Sequence, residues 1–279
     1  MMKTICESGA TKADWRLTEA GEQTGRILTG GMNVSTMPRQ TIEQTIAEAG
    51  SRIPAGKVEA VHFYVAGIAT PEIQNWLIPA LERSLKCKEI EIQDDMMAAA
   101  RAACGHAPGI AAILGTGSNS CFFDGSEITR KVKSGGFILG DEGSASNIGK
   151  LFISDYIKGL VPQEIAGPFE ERYPGLDYAA VVDEVYHSKG SPSGWLGSFC
   201  PFILSHYGHP YVKRLVEGSL QAFIDRSLKQ YDIEKYPVGI VGGFATAIKD
   251  ILAPLLERSG IRVRAFIPSP IEELIRYHG

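Results

Sequence analysis

No uninterrupted apolar stretch in the 279-residue chain approaches the ~20 residues that a membrane-spanning helix needs. A membrane partner is therefore not expected. A basic excess is missing too: 28 Lys and Arg stand against 32 Asp and Glu, a net charge of -4, whereas a broad nucleic-acid surface is normally basic. Cysteine is scarce and scattered. Cys6, Cys87, Cys104, Cys121 and Cys200 form no CxxC pair and no Cys/His cluster at zinc spacing, so they read as buried, reduced thiols of a cytoplasmic protein. Of the six histidines only His206 and His209 approach ligand spacing, and they read as loop residues. The opening Met-Met-Lys-Thr-Ile-Cys-Glu lacks the apolar core of a secretory leader. Two nucleotide motifs are also absent. No G-x-G-x-x-G follows the first strand, and no G-x-x-x-x-G-K-[ST] occurs, which argues against Rossmann and P-loop sites.

What the chain does hold is one hairpin plan written twice. Ile110-Ala-Ala-Ile-Leu114 runs into the small-residue loop Gly115-Thr-Gly-Ser-Asn119 and leaves through Ser120-Cys-Phe-Phe123. Cys6-Glu-Ser-Gly-Ala-Thr-Lys-Ala-Asp-Trp-Arg-Leu17 repeats the plan. Each copy has a second turn, at 19–22 and at 124–127, and a closing glycine pair, Gly30-Gly31 and Gly135-Gly136. Gly9 and Gly115, Gly21 and Gly125, and Gly30 and Gly135 are offset by 106, 104 and 105 residues. Small-residue turns present backbone N–H groups to anions, so the repeat suggests a duplicated fold gripping a phosphate chain from two sides.

Periodicity fills in the rest. Helices are expected from Pro38 to about Ala49 and from Pro71 to about Leu85, the latter with Thr70 as its cap. Val58–Val65 and Lys88–Ile92 read as strands, and Met96–Ala103 is a strong helix former. Helices and loops follow from about 144 to 231, with a loop at Gly190-Ser-Pro-Ser-Gly194. Tyr236–Val241 is a strand ending in Gly242-Gly243, before a helix from about Ala245 to Arg258. Ile271–Tyr277 is a short amphipathic helix. Strands alternating with helices, interrupted by a hairpin at the start of each half, give an α/β protein with mixed sheets, long enough for two domains.

Six segments then carry a family resemblance: 7–15 (Glu-Ser-Gly-Ala-Thr-Lys-Ala-Asp-Trp), 30–33 (Gly-Gly-Met-Asn), Asp95, 115–119, 140–144 (Gly-Asp-Glu-Gly-Ser) and Gly242-Gly243. In order and spacing the chain resembles the BadF/BadG/BcrA/BcrD-type ATPase family, and within it the N-acetylglucosamine-kinase-like proteins of the actin-like ATPase and sugar kinase superfamily. The resemblance covers essentially the whole chain. It implies two ribonuclease-H-like domains with a nucleotide-binding cleft between them, residues 1–105 completed by the helix 267–279, and residues 106–266. It also implies ATP with Mg²⁺, a small-molecule sugar as the partner, and room for a homodimer.

The roles follow residue by residue. Gly9, Ala10, Thr11 and Lys12 in the first loop, and Gly117 and Ser118 in the second, are expected to hold the β- and γ-phosphates. Gly242 and Gly243 would let the adenosine lie on backbone. Asp95, at a strand end and capping the next helix, is the expected general base, whereas Asp94 reads as a surface or structural residue. Asn33, Thr116 and Asp141 would bind the sugar, whose hydroxyls suit short side chains that donate and accept. Glu7 is the side chain expected to reach the metal shell.

Two departures stand out. Glu7 occupies a position usually held by Asp, and Ala145 one usually held by Gly. Three functions are therefore carried: an ATP-dependent kinase for N-acetylglucosamine or a related amino sugar, an ATPase activating a partner enzyme through a cluster for which only Cys104 and Cys121 are available, and a non-catalytic sugar or nucleotide sensor.

Overall fold

The computed structural model describes residues 2–279 apart from 10, 11, 55, 68–70 and 189. Ala10 and Thr11 of the first loop, and the expected cap Thr70, thus lie outside the described residues. The chain divides into two compact units. The first holds the chain through Pro108, the tip Phe123–Ile128 and the tail Ser269–Gly279; the second holds Gly109–Phe122 and Thr129–Pro268.

The first unit opens with β1 (Met2–Ser8), β2 (Lys12–Glu19) and β3 (Glu22–Gly30), paired antiparallel in succession. The turn joining β2 and β3 has Ala20 at φ 52° and Gly21 at φ 83°, the doubly left-handed pair that matches strand twist in two-residue hairpins. Next come α1 (Arg39–Arg52), β4 (Val58–Val65), α2 (Pro71–Leu85), β5 (Glu89–Gln93) and α3 (Asp95–Cys104). β4 runs parallel to β1, and β5 parallel to β4, so the sheet order is β3-β2-β1-β4-β5.

Alternation gives this sheet two unlike faces. Cys6, Ala13, Trp15, Leu17, Ile27, Val61, Phe63 and Val65 point to one side and are buried against Ile42, Ile46 and Ala49 of α1 and Leu77 and Leu81 of α2. Trp15 packs 5.5 Å from Phe63, and its indole N–H donates to Thr29 Oγ1 at 3.0 Å. Each such side chain contributes roughly 1.5–3 kcal/mol by leaving water. The opposite face carries Glu7, Asp14, Arg16, His62, Tyr64 and Glu91, by the same registers.

The second unit repeats the order with β6 (Gly109–Leu114), β7 (Ser118–Phe123), β8 (Ile128–Val132), β9 (Val238–Val241) and β10 (Val263–Ile267), arranged β8-β7-β6-β9-β10. Between β8 and β9 lie α4 (Gly136–Leu139), α5 (Ala145–Ile157), α6 (Gln163–Arg172), α7 (Tyr178–Val182) with a π-turn at Asp183–His187, α8 (Pro192–Gly197), α9 (Cys200–Ser205) and α10 (Pro210–Arg226). The core joins Ile110, Ala112 and Leu114 to α5, α9 and α10. Phe169 sits 4.9, 5.6 and 5.1 Å from Phe152, Phe199 and Phe202.

After β9 the chain makes α11 (Gly243–Ala247) and α12 (Lys249–Arg258) where one helix is expected. Ile248 leaves helical geometry while almost fully buried, and the Thr246 hydroxyl donates back to Gly242 O at 3.1 Å. The expected loop at Gly190–Gly194 contains the start of α8, with the Ser191 side chain accepting from Gly194 N–H and Pro192 in the first turn. β10 has no counterpart in the periodicity reading. The last helix, α13 (Ile271–His278), packs on α3, β1 and β2 of the first unit.

Candidate active site

In the first unit the expected residues collect where β1, β4 and β5 end. Ser8 Oγ accepts from Met32 N–H at 2.8 Å, Ser8 O accepts from Ala66 N–H at 3.2 Å, and Asn33 forms a parallel bridge with Ala66. Gly9 N–H donates to Lys12 O at 3.2 Å, and Gly9 O accepts from Met32 N–H at 3.1 Å, so the backbone of Gly9 closes the hairpin itself. Asn33 Oδ1 accepts from the N–H and hydroxyl of Ser35, at 3.1 and 2.9 Å. That fixes the side-chain amide with Nδ2 left as its donor.

Glu7 lies opposite Asp14 in the β1–β2 register. Burial first, then the charges of Asp14 and Asp95, push its carboxyl up to about 7, with Lys12 opposing. These four charged groups therefore share one neighbourhood. Asp14 is already committed. Burial works against its ionisation, but hydrogen bonds from Arg16 Nε (2.7 Å) and Arg26 Nη2 (2.7 Å) hold it below the usual carboxylate range. This clasp is a feature missed in the sequence, although Asp14 and Arg16 stand two apart on a strand and so share a face.

Asp95 is not the cap of α3. Asp94 has the extended backbone of a cap and accepts Met97 N–H at 2.7 Å, while Asp95 is the first helical residue and half-buried. The assignment turns on one peptide's ψ angle, which two adjacent aspartates do not reveal.

The one group of three metal-ligand-type side chains among the described residues lies elsewhere on the same face: His62, Glu91 and His278. The two imidazoles stack at 3.6 Å with 17° between planes, so their in-plane lone pairs do not converge on one ion. Glu91 receives His62 Nδ1 and Arg101 Nη2 at 2.9 and 2.7 Å, and these hold it well below its usual range despite burial. Tyr64 OH meets His278 Nε2 at 2.7 Å. This network fastens α13. His206 and His209 are not a ligand pair either: His206 Nδ1 lies 2.9 Å from Phe202 O, and His209 Nδ1 accepts Tyr211 N–H as the cap of α10.

In the second unit the loop after β6 meets the start of α5. Ala145 N–H donates to Gly115 O (3.0 Å), Ser146 N–H to Thr116 O (3.1 Å) and Asn147 N–H to Ser144 Oγ (3.2 Å). The helix N-terminus is therefore spent on the loop. Asp141 Oδ1 accepts Ser118 N–H at 3.3 Å, and a Cβ on Gly117 would come within 2.9 Å of Asp141 Oδ2. A larger residue there would push the end of the Asp141 side chain away from the loop. Burial raises the Asp141 pKa, against the Ser118 hydrogen bond and the Lys150 charge. Ala145 accepts helical geometry at the first position of α5, so its side chain costs nothing there.

Gly242 follows β9, which pairs with β6 at Ile113 and Val241. Its φ is +139°, and a Cβ would stand 2.2 Å from Leu114 O, so glycine is required. Thr116, Gly117, Ser118, Asp141, Gly242 and Gly243 thus share the carboxyl-terminal edge of this sheet. A cavity of about 670 Å³ in the same unit borders Gly140, Glu142, Asn147 and Ser219, and none of the six lines it.

No family model matches the chain, and no curated protein matches it. Among solved structures, a protein from Porphyromonas gingivalis provisionally named an N-acetylglucosamine kinase is 38% identical, with 99% of this chain and 98% of that one covered, at a TM-score of 0.89. The chain belongs to this N-acetylglucosamine-kinase-like family. A second protein with the same provisional name, from Chromobacterium violaceum, covers 99% of both chains at 18% identity and a TM-score of 0.77. A ROK family glucokinase from Streptomyces griseus, in complex with glucose and AMPPNP, is 18% identical over 99% of this chain and 98% of that one, at 0.60. These two show the fold alone. The N-acetylglucosamine-kinase-like chain has the two-domain actin-like ATPase and sugar kinase architecture. Among its described residues no helix is long and apolar enough to cross a membrane.

Proposed function

We propose that the chain transfers the γ-phosphoryl group of ATP to a hydroxyl of N-acetylglucosamine or a related amino sugar. The full-length likeness to the Porphyromonas gingivalis protein carries this reading, and the placement of Asp95 supports it. With capping left to Asp94, the Asp95 carboxylate sits at a helix N-terminus beside Glu7, suited to receive the proton of the attacking hydroxyl. Gly9, Ala10, Thr11 and Lys12, with Gly117 and Ser118, hold the phosphates. Among the described hydrogen bonds, the Thr116 and Gly117 N–H groups have no acceptor, which suits an anion. Gly242 and Gly243 take the adenosine, and Asn33, Thr116 and Asp141 take the sugar.

The donor chemistry at Glu7 fits Mg²⁺, a hard cation that prefers carboxylate oxygen. Its carboxyl is crowded by two further acids and pushed up to about 7, which an added cation would relieve. When bound, the ion supplies charge neutralisation for the phosphates; Lys12 adds a fixed positive charge nearby. The reading includes membership of the wider BadF/BadG/BcrA/BcrD-type group, work in the cytoplasm, consistent with five buried cysteines held in no disulfide, and assembly as a homodimer. Burial of Cys104 and Cys121 weighs against a partner-activating ATPase built on a shared cluster.

The test is ADP release across a panel of amino sugars. Sugar-dependent turnover that is lost in Asp95→Asn supports the kinase. Turnover indifferent to sugar would sink it in favour of an ATPase, and sugar binding without turnover in favour of a sensor.

A further inference from the structure

The loop that presents Asp141 is held in an unfavourable shape from behind. Asp141 has φ +54°, a left-handed geometry that costs a non-glycine residue on the order of 1 kcal/mol and persists only where surroundings enforce it. Two side chains do so. Gly143 N–H donates to Ser219 Oγ at 3.0 Å, and the Ser219 hydroxyl donates onward to Asn147 Oδ1 at 2.7 Å. Asn147 Nδ2 then donates to Gly140 O at 3.4 Å. The chain of bonds starts at one end of the Gly140–Gly143 loop and returns to the other, with each donor and acceptor used in a fixed direction. Ser219 and Asn147 are 3% and 8% exposed, so each meets water only where it borders the cavity. Ser144 N–H to Asp141 O, at 3.1 Å, completes the brace.

We infer that Ser219, acting through Asn147, is a positioning residue that sets the Asp141 carboxylate for the sugar. The inference rests on the proposed role of Asp141 as a sugar contact. Ser219 comes from α10 and reaches the loop through Gly143 and Asn147. Without its hydroxyl the Gly143 N–H is left buried and unpaired, and the loop relaxes toward ordinary φ, moving Asp141 away from its place beside Gly117.

The experiment is steady-state kinetics on the full chain with ATP and N-acetylglucosamine. Ser219→Ala is expected to raise the sugar KM about tenfold, leaving the ATP KM and kcat within about twofold, while Ser219→Thr, which keeps the hydroxyl, restores the sugar KM. An unchanged sugar KM, an equal rise in both KM values, or failure of Ser219→Thr to restore overturns the inference. Ser219→Cys, close in volume and a weaker hydrogen-bonding partner, gives the same reading if the alanine variant does not fold. Amide exchange at Gly143 separates the two proposals. If the wild-type chain shows no sugar-dependent turnover, the kinase reading fails, while faster exchange in Ser219→Ala than in Ser219→Thr still supports the brace. Equal exchange refutes the brace.

Discussion

The same strand order is built twice in this chain, and the two sheets are filled in opposite styles. In the first, one face is a conventional apolar core around Trp15 and Phe63, and the other carries two charged groups, Asp14 with Arg16 and Arg26, and Glu91 with Arg101 and His62. In the second, a large apolar core runs from Ile110 through Phe152 to Leu256, and the polar groups buried beside it are mostly uncharged serines and Asn147. The comparison teaches that topology and stability chemistry are separable. A five-stranded order survives exchange of a greasy face for an ionic one, provided each buried charge keeps a partner. The ionic face also ends in the acids Glu7 and Asp95, whereas the second sheet ends in glycines, loop N–H groups and the single carboxylate of Asp141.

The largest effect expected from that contrast is catalytic. Asp95→Asn should lower sugar-dependent kcat by roughly a thousandfold, with the melting temperature unchanged; a loss under tenfold would remove Asp95 from the chemistry. Next is a matched pair of glycine substitutions at the two loop ends. Gly242→Ala forces a Cβ to 2.2 Å from Leu114 O, whereas among the described residues nothing lies within 4 Å of a Cβ on Gly9. Chemical denaturation should show a loss of about 3 kcal/mol or more for the first, and under about 0.5 kcal/mol for the second. Equal losses would erase the distinction.

Acid sharpens the contrast further. Burial, then His62, pushes His278 down to about 3. Its neutral form therefore contributes fully above about 6.5, and the contribution is lost as pH falls from there toward 3. Asp14 and Glu91, both held low, lose theirs in the same direction, below the ordinary carboxylate range. Glu7 runs the opposite way, gaining as pH falls through about 7, and offsets part of the loss. The first unit should lose on the order of 2 kcal/mol between pH 6.5 and 4, read from Trp15 fluorescence, ahead of the second unit, read from Trp195. His278→Phe should flatten that limb, and simultaneous loss of both signals would refute the separation. The smallest effect belongs to Asp94→Ala, which removes a cap worth about 1 kcal/mol and leaves kcat within about threefold. A thousandfold drop there would exchange the roles of the two aspartates.

Much of this was legible in the sequence because it is local. Val58–Val65 and Pro71–Leu85 emerge at the expected bounds, since a β-branched run and a proline-led amphipathic stretch each have one stable solution. The glycine offsets near 105 anticipated a repeat, and the repeat is the shared strand order. What was illegible is mostly tertiary. Ser219 and Asn147 are 72 residues apart, and no periodicity joins them. Val263–Ile267 is a strand because β9 lies beside it, not because five residues demand it. Ser191 and Pro192 illustrate a different ambiguity, since serine and proline punctuate loops and also start helices.

The return of α13 to the first unit has a consequence for how the protein is made. Lys3 Nζ donates to His278 O across 275 residues of chain, and His62 stacks on the same histidine. On a ribosome, the half that emerges first must wait with its charged face uncovered until the second unit has been synthesised. The later half can close around its core before the earlier one is finished. A chain truncated before Ile271 would keep every strand of both sheets but leave the charged face of the first unit without its α13 latch.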